Sequence, residues 1–173
     1  MLGQDFSGQH IVGWMASEKL DGIRCIWDGE RLFTRNFRPI HAPVWFVDSL
    51  PKIPLDGELY VGIDTLSEMA GIARRKHPRD EDWLRVRFHV FDAPDERTGY
   101  SERMATIRNA VAGIGHCVVV ESVKIKSENH MLAMLESVLA KGGEGLMIRE
   151  PHAEYRDGRT DTLLKVKLCA VKR

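Results

Sequence analysis

The stretch Ser17-Glu-Lys-Leu-Asp-Gly-Ile-Arg24 joins two apolar runs and contains the order Lys-x-Asp-Gly-x-Arg. Asp21-Gly22 is a turn dipeptide, because glycine adopts backbone angles that other residues avoid. A lysine at such a turn is held in place by the backbone on both sides. The stretch therefore predicts that the Lys19 amine is presented at a fixed position, with the Arg24 guanidinium nearby. A surface hairpin with ordinary charges fits these residues equally well, so the rest of the chain must decide.

The composition limits the class of protein that this chain can be. The chain has 173 residues, of which 43% are hydrophobic and 29% charged, as expected of a globular domain with a real core. Its formal net charge is zero, so any grip on nucleic acid must come from local patches. Cys25, Cys117 and Cys169 are odd in number and widely spaced, which suits a reducing compartment. With no signal-peptide pattern and no apolar run of membrane-spanning length, we expect a cytoplasmic protein, or a periplasmic one if the N-terminus was trimmed.

Apolar periodicity and turn signals predict an α+β fold with mainly antiparallel sheets flanked by helices. The predicted strands are 11–16, 23–27, 31–35, 55–61, 86–91, 117–123, 146–149 and 163–167. The predicted helices are 43–50, 65–75, 101–112 and one that Ser127 caps and Gly142-Gly143 end. The apolar stripe of this last helix, from Met131 to Leu139, is interpreted as core.

Several polar side chains interrupt strands that would otherwise be apolar. Asp56 and Glu58 flank a glycine, and Glu144 stands just before Leu146 to Arg149. Lys165 and Lys167 alternate with apolar residues, which puts both lysines on one face of a strand. Each feature alone fits a solvated sheet face. Their occurrence together, after Lys19 and in this order, favours a site.

These motifs resemble those of the adenylation domain of ATP-dependent DNA ligases, in the covalent nucleotidyltransferase superfamily with its ATP-grasp-like fold. The matching segments, in chain order, are 19–24, Thr34-Arg35-Asn36, Asp56-Gly-Glu58, Val90-Phe-Asp92, Glu144-Gly-Leu-Met-Ile-Arg149 and Leu164-Lys-Val-Lys167. The chain is most similar to the minimal bacterial Lig E type, through segments 41–46, 54–59, 142–147 and 155–159. The resemblance implies one adenylation domain over residues 1–173.

The resemblance also implies the chemistry. Lys19 would attack the α-phosphate of ATP, expel pyrophosphate and carry AMP through a phosphoramide bond. The AMP would then pass to the 5′-phosphate of a nick, and the 3′-hydroxyl would seal it. An attacking lysine must be neutral, so we expect positive charge around it from Arg24, Lys165, Lys167 and a metal ion. Lys165 and Lys167 would also offset the charge that develops on the phosphates.

The remaining roles are likewise implied by resemblance. They give a set of nucleotide-binding residues: Ser17, Glu18, Lys19, Arg24, Arg35, Glu58, Phe91, Glu144, Lys165 and Lys167. Phe91 would stack on adenine, Glu58 would meet the ribose, and Arg24 and Arg35 would contact the ribose or the phosphate of the nick. Glu58 and Glu144 are the candidate ligands for Mg²⁺ or Mn²⁺.

The expected partners are ATP and nicked double-stranded DNA, bound by a monomer with no membrane contact. Residues 74–77 with Arg79 form the best local basic patch, which fits either a DNA contact or a solvated helix end. An RNA ligase, a GTP-using capping enzyme and a non-catalytic nucleotide- or DNA-binding remnant are the alternative functions. Because the chain ends at Arg173, six residues after Lys167, we expect the family's C-terminal oligonucleotide-binding (OB-fold) domain to be absent, adenylation to be slow, and sealing to be weak.

Overall fold

A computed structural model describes residues 1–94 and 97–167, so the predictions for Leu168 and Cys169 lie outside the described residues. The strands are β1 (Leu2–Asp5), β2 (Met15–Glu18), β3 (Ile23–Trp27), β4 (Leu32–Thr34), β5 (Pro39–Ile40), β6 (Leu55–Tyr60), β7 (Arg87–Asp92), β8 (Cys117–Val119), β9 (Val123–Lys124), β10 (Leu146–Arg149) and β11 (Arg159–Val166). The helices are α1 (Val44–Asp48), α2 (Leu66–Ala73), α3 (Asp80–Trp83), α4 (Tyr100–Ala110) and α5 (Glu128–Ala140).

The described residues fall into two compact units. The first contains 1–20, 97–102 and 120–167, and the second contains 21–94 and 103–119. The prediction of one adenylation domain over the whole chain stays a prediction.

The first unit contains a five-stranded sheet in the order β1-β11-β10-β2-β9. All its pairings are antiparallel except that of β1 with β11. Helix α5 packs on the sheet through the stripe predicted to be core. Met131 and Leu135 are buried against strand residues such as Ala16, Leu146 and Leu164. The Ser127 hydroxyl caps this helix by accepting a hydrogen bond from the His130 N–H, as predicted.

The second unit contains a six-stranded sheet in the order β5-β4-β3-β6-β7-β8, antiparallel except between β7 and β8. Its core includes Cys25, Leu59 and Phe88, which are fully buried. The Phe46 and Trp83 rings meet edge to face, with their centroids 4.7 Å apart. The predicted α+β class with mainly antiparallel sheets is therefore confirmed.

The sequence prediction and the structure differ in the bounds of some elements, in one predicted strand that is two strands, and in three elements that were not predicted. Residues 11–14 form a turn, in which Trp14 N–H donates to the Ile11 carbonyl at 3.0 Å, so the predicted strand 11–16 is wrong over most of its length. The predicted strand 117–123 is two short strands, β8 and β9, in different sheets. Ser101 lies inside α4 rather than at its cap. Strands β1 and β5 and helix α3 were not predicted, because they are too short to show an apolar period.

None of the helices in the described ranges combines the length and the apolar character that crossing a bilayer requires.

Candidate functional site

Three strand ends lie side by side at one end of the sheet in the first unit, where β2 and β11 end and β10 begins. Leu146, at the start of β10, is paired with Glu18 at the end of β2 and with Val166 at the end of β11. Lys19 follows β2, Glu144 precedes β10, and Lys167 follows β11. Antiparallel pairing therefore brings together three charged residues that are far apart in the sequence.

These residues form a Lys19–Glu144–Lys167 cluster. The Lys19 ammonium donates a hydrogen bond to Glu144 Oε2, and the Lys167 ammonium forms an ion pair with Oε1 of the same carboxylate. The side chains of Lys19 and Glu144 are 22% and 24% exposed, so the cluster is partly shielded but open to a ligand. Two cations on one anion leave an excess positive charge, which favours binding of a further anion such as phosphate.

The electrostatics of Glu144 follow from its two partners. Burial on its own would raise the pKa of the Glu144 carboxyl, but hydrogen bonds from Lys167 and Lys19 outweigh burial and the pKa is lowered. The carboxylate is consequently ionised at neutral pH. It can orient the Lys19 amine but is a weak base for removing a proton from it.

Backbone geometry fixes the position of the cluster. The Lys19 N–H donates to the Gly145 carbonyl at 2.9 Å. Gly145 has a φ of 149°, and a Cβ at this residue would collide with the Val166 carbonyl oxygen. Glycine is therefore required here for β10 and β11 to approach closely enough for Glu144 to meet Lys167.

The other predicted residues of the first unit have different surroundings. Lys165 forms an ion pair with the exposed Asp5 at 3.1 Å rather than with Glu144. Ser17 lies opposite Met147 on the neighbouring strand. Glu18 borders an open groove of about 370 Å³ beside α5. Glu18 Oε1 lies 3.0 Å from the position that a Cβ on residue 143 would occupy, so a side chain in place of Gly143 would crowd the Glu18 carboxylate.

The second unit brings together Arg24, Asp56 and Phe91. The Arg24 guanidinium makes two hydrogen bonds to the Asp56 carboxylate, from Nε to Oδ1 at 3.0 Å and from Nη2 to Oδ2 at 2.5 Å. Its Cζ lies 5.8 Å from the centroid of the Phe91 ring. In the register of the sheet, Glu58 on β6 lies opposite Arg24 on β3 and opposite His89 on β7. Arg35 is exposed in the loop between β4 and β5.

One contact of Lys19 was not predicted. The sequence predicted positive charge around Lys19 from Arg24, Lys165, Lys167 and a metal ion. Lys167 shares the Glu144 carboxylate that contacts Lys19, and this carboxylate is an anion that the charge argument did not include. Within residues 1–94 and 97–167, no group of three or more His, Cys, Asp or Glu residues could hold a metal ion. A divalent cation held by one carboxylate, water and ligand phosphates would still fit Glu144, since Mg²⁺ keeps several waters and few protein ligands.

Among the described residues, only part of the predicted basic patch, residues 74–77 with Arg79, is free of a carboxylate partner and so suited to bind phosphates. Arg75 forms an ion pair with Asp82, while Arg74, Lys76, His77 and Arg79 are exposed. The first turn of α3 adds three carboxylates next to the patch. Local acidity thus offsets much of the basic charge.

Sequence reasoning missed one buried ion pair and one exposed ring. Arg103 Nε donates to Asp92 Oδ1 at 2.6 Å, and both side chains are fully buried. Asp92 was noted as a motif residue, but nothing in the sequence identified its partner in helix α4. Phe37 is 75% exposed at a hairpin tip. The sequence feature that could have identified it is an aromatic residue between two arginines, Arg35 and Arg38.

A cluster of lysine, carboxylate and lysine at three strand ends, on a mainly antiparallel α+β fold, agrees with the predicted class of nucleotidyltransferase domains. The chain belongs to the ATP dependent DNA ligase domain family, whose sequence model matches residues 10–167.

Known proteins support this family at the level of sequence and fold. A DNA ligase of Haemophilus influenzae is 31% identical over 169 residues, which cover 96% of this chain and 62% of that protein. The chain thus spans less than two thirds of that relative's length. A solved structure from a structure-function analysis of Lig E DNA ligases, concerned with DNA binding by a minimal scaffold, is 36% identical with a TM-score of 0.89, covering 96% of this chain and 67% of that one.

The fold extends to a more distant protein. The Chlorella virus DNA ligase-adenylate superposes with a TM-score of 0.77 at 23% identity, covering 96% of this chain and 66% of that chain. This likeness concerns the fold.

Proposed function

We propose that this chain catalyses the adenylation step of an ATP-dependent DNA ligase, with Lys19 as the nucleophile. The observation that carries the proposal is the Lys19–Glu144–Lys167 cluster, in which an amine is held at a fixed place beside a second cation. Membership of the ATP dependent DNA ligase domain family supports ATP as the nucleotide.

In the proposed reaction, the Lys19 ammonium first loses a proton to solvent, and the resulting neutral amine attacks the α-phosphorus of ATP. A nitrogen–phosphorus bond forms, and the bond from the α-phosphorus to the oxygen that bridges to the β-phosphate breaks. Pyrophosphate leaves, and the new phosphoramide nitrogen releases its extra proton to solvent. Glu144 orients the amine through the charge-assisted hydrogen bond described above. The Lys167 ammonium, on the other oxygen of that carboxylate, is positioned to offset the charge that develops on the phosphate.

Magnesium or manganese fits this chemistry as a partner of the phosphates. Glu144 is the carboxylate of the cluster that would hold the ion, and Glu58 stays a second predicted ligand. The ion would neutralise phosphate charge.

In the second unit, Phe91 is the proposed adenine-stacking residue. It lies on the less buried face of β7, where the burial pattern alternates, so its ring is available to a planar base. Arg24 and Glu58 are proposed to contact the ribose. For Arg24, the two bonds to Asp56 hold the guanidinium in one orientation.

The later steps are also part of the proposal. AMP would pass from Lys19 to the 5′-phosphate of nicked duplex DNA, and the 3′-hydroxyl would displace AMP. Contacts to this substrate would be directed mainly to phosphates, because a sealing enzyme needs no sequence readout. Although the chain has zero net charge, the Lys19–Glu144–Lys167 cluster has an excess of positive charge that suits a phosphate group.

Intact-mass spectrometry tests the adenylation step. After incubation with ATP and Mg²⁺, we expect one added AMP, which pyrophosphate removes. Lys19→Met should abolish the adduct, whereas Lys126→Met, which removes an exposed lysine of the same unit, should retain it. An adduct on the Lys19 variant would refute the nucleophile. A parallel incubation with GTP tests the alternative of a capping enzyme. Separate sealing assays that compare nicked RNA with nicked DNA test the alternative of an RNA ligase.

A further inference from the structure

The loop that joins β4 to β5 exposes an aromatic ring between two arginines. This hairpin tip, residues 34–38, contains Phe37, which is 75% exposed, with Arg35 and Arg38 also exposed. The rings of Phe46 and Phe88, in contrast, are fully buried in the same unit. The Phe37 ring is therefore not part of the buried core of this unit.

The backbone of the hairpin tip is fixed by hydrogen bonds. Thr34 N–H donates to the Arg38 carbonyl at 2.8 Å, and Phe37 N–H donates to the Thr34 carbonyl at 2.9 Å. The Thr34 hydroxyl accepts a further bond from Arg38 N–H at 3.2 Å. The ring is thus presented on a short loop that is tied at both ends.

The conformation of Phe37 is unfavourable for its residue type. Its φ is 56°, in the left-handed region, as expected for a turn followed by a left-handed residue in a short hairpin loop. Glycine is the usual choice there, and a bulky residue with positive φ is an outlier. Neither packing nor backbone preference favours a phenylalanine here, and a contact with a binding partner would give the ring a use.

The charge around the ring indicates the chemistry of that contact. Neither Arg35 nor Arg38 has a carboxylate partner among residues 1–94 and 97–167. The Arg31 guanidinium lies 5.5 Å from the centroid of the Phe33 ring on the adjoining strand. Unpaired arginines beside an accessible ring suit nucleic acid, since guanidinium groups bind phosphates and aromatic rings stack on bases.

We propose that Phe37, at the hairpin tip, stacks on a base of DNA beside the strand break while Arg38 binds a flanking phosphate, next to the phosphate contact that the family resemblance already implies for Arg35. The nick as the target rests on the proposed function. An aromatic or apolar side chain that enters a base step must unstack it, and an interrupted strand makes that step easier to open.

The test measures binding to a nicked duplex that carries 2-aminopurine next to the nick. Phe37→Gly removes the ring and suits the left-handed backbone, and Phe37→Trp keeps a stacking surface. Leu84→Ala is the matched control, because Leu84 is 65% exposed in the same unit but lies at the end of α3. Circular dichroism verifies that all variants are folded.

We expect Phe37→Gly to raise the Kd about tenfold and to abolish the fluorescence change of 2-aminopurine. Phe37→Trp should stay within about twofold of the unmodified chain, since another aromatic ring can stack, and Leu84→Ala should bind unchanged. Phe37→Gly should leave the salt dependence of binding unaltered, whereas Arg38→Gln should reduce its slope by about one unit.

The outcomes separate this proposal from the adenylation proposal. Equal DNA binding by the unmodified chain and Phe37→Gly would overturn the role of the hairpin tip. A dependence on Phe37 for binding to phosphatidylserine vesicles, but not to DNA, would overturn it in favour of a membrane contact. AMP adduct formation is measured on the same samples, and its absence in the unmodified chain would refute the adenylation proposal without affecting the binding result.

Discussion

Arg24 holds the buried carboxylate of Asp56 through two hydrogen bonds across neighbouring strands, from Nε at 3.0 Å and from Nη2 at 2.5 Å. Asp56 is 1% exposed, and Arg24 lies on β3 beside β6, the strand that carries Asp56. The sequence suggested Arg24 as a ligand contact and Asp56 as a polar interruption of a strand. Their pairing gives Arg24 a structural role and fixes the direction in which its guanidinium faces.

Replacing Arg24 by methionine should therefore destabilise the protein. The buried Asp56 would lose the bidentate cation that compensates its charge, at a cost of about 3 kcal/mol, the low end for breaking a buried ion pair. Urea unfolding at neutral pH measures the change.

The double variant Arg24→Met, Asp56→Asn is the control for this mechanism. It removes the charge of both partners, so it should recover part of the stability lost in Arg24→Met. If the single variant unfolds at the same urea concentration as the unmodified chain, the ion pair is not structural.

Lys167 and Lys165 should differ in their effect on adenylation. Lys167 shares Glu144 with the proposed nucleophile, whereas Lys165 pairs with Asp5, whose side chain is 80% exposed. We expect Lys167→Met to slow formation of the AMP adduct about 100-fold at saturating ATP, as for the loss of one group that stabilises a charged transition state. Lys165→Met should cause a smaller loss, with a change in folding stability below about 1 kcal/mol.

Single-turnover labelling with α-phosphate-labelled ATP gives the two rates. Similar losses in both variants would contradict the distinction and would mean that Lys165 leaves Asp5 to act on the phosphate. Thermal unfolding of both variants controls for damage to the sheet.

Phe91→Ala should weaken ATP binding by about tenfold, the scale of a single stacking contact with a base. The partly buried position of Phe91, between the buried residues Val90 and Asp92, favours a ligand contact over a purely core role. Adduct yield measured against ATP concentration reports the change. Phe91→Tyr keeps the ring and should behave almost as the unmodified chain. An unchanged concentration dependence in Phe91→Ala would make the ring a packing residue.

The sequence predicted elements well where local residues decide the structure and poorly where contacts distant in sequence decide it. Strands β3 and β10 have the predicted bounds, and Ser127 caps α5 as predicted. The break between β8 and β9 was missed, because one apolar run supplies strands to two different sheets. Sequence periodicity carries no information about which sheet a strand joins.

The candidate site shows the same division. Ordered motifs identified Lys19, Glu144 and Lys167, and strand pairing brings their side chains together. The choice of partners did not follow from the motifs. Lys165 and Lys167 look alike in the sequence, yet they pair with Asp5 and Glu144 respectively, because β1 joins the sheet beside β11 and supplies a carboxylate.

The half-buried His116 should make folding stability depend on pH. Burial lowers the pKa of His116 from its ordinary value of 6.5, a hydrogen bond to the Phe46 carbonyl partly opposes that effect, and the charge of Arg87 lowers it further. The ring nitrogen Nε2 lies 2.9 Å from the Phe46 oxygen, and the imidazole stacks on the Phe46 ring with centroids 4.1 Å apart. The fold therefore favours the neutral imidazole.

The sign follows from proton linkage. Between the lowered pKa of the folded state and the pKa near 6.5 of the unfolded state, the unfolded chain binds more protons, so stability rises with pH. The contribution is fully present above about pH 6.5 and is lost as the pH falls through the folded pKa. His89, whose pKa is lowered by burial and by Arg87, contributes in the same direction.

Urea midpoints at pH 7.5 and pH 5.0 measure this dependence. His116→Gln, which cannot titrate, should reduce the difference between the two midpoints, whatever its effect at pH 7.5. His77→Gln, at an exposed position, is the matched control and should leave the difference unchanged. An undiminished difference in His116→Gln would assign the loss of stability in acid to other groups and refute the role of His116.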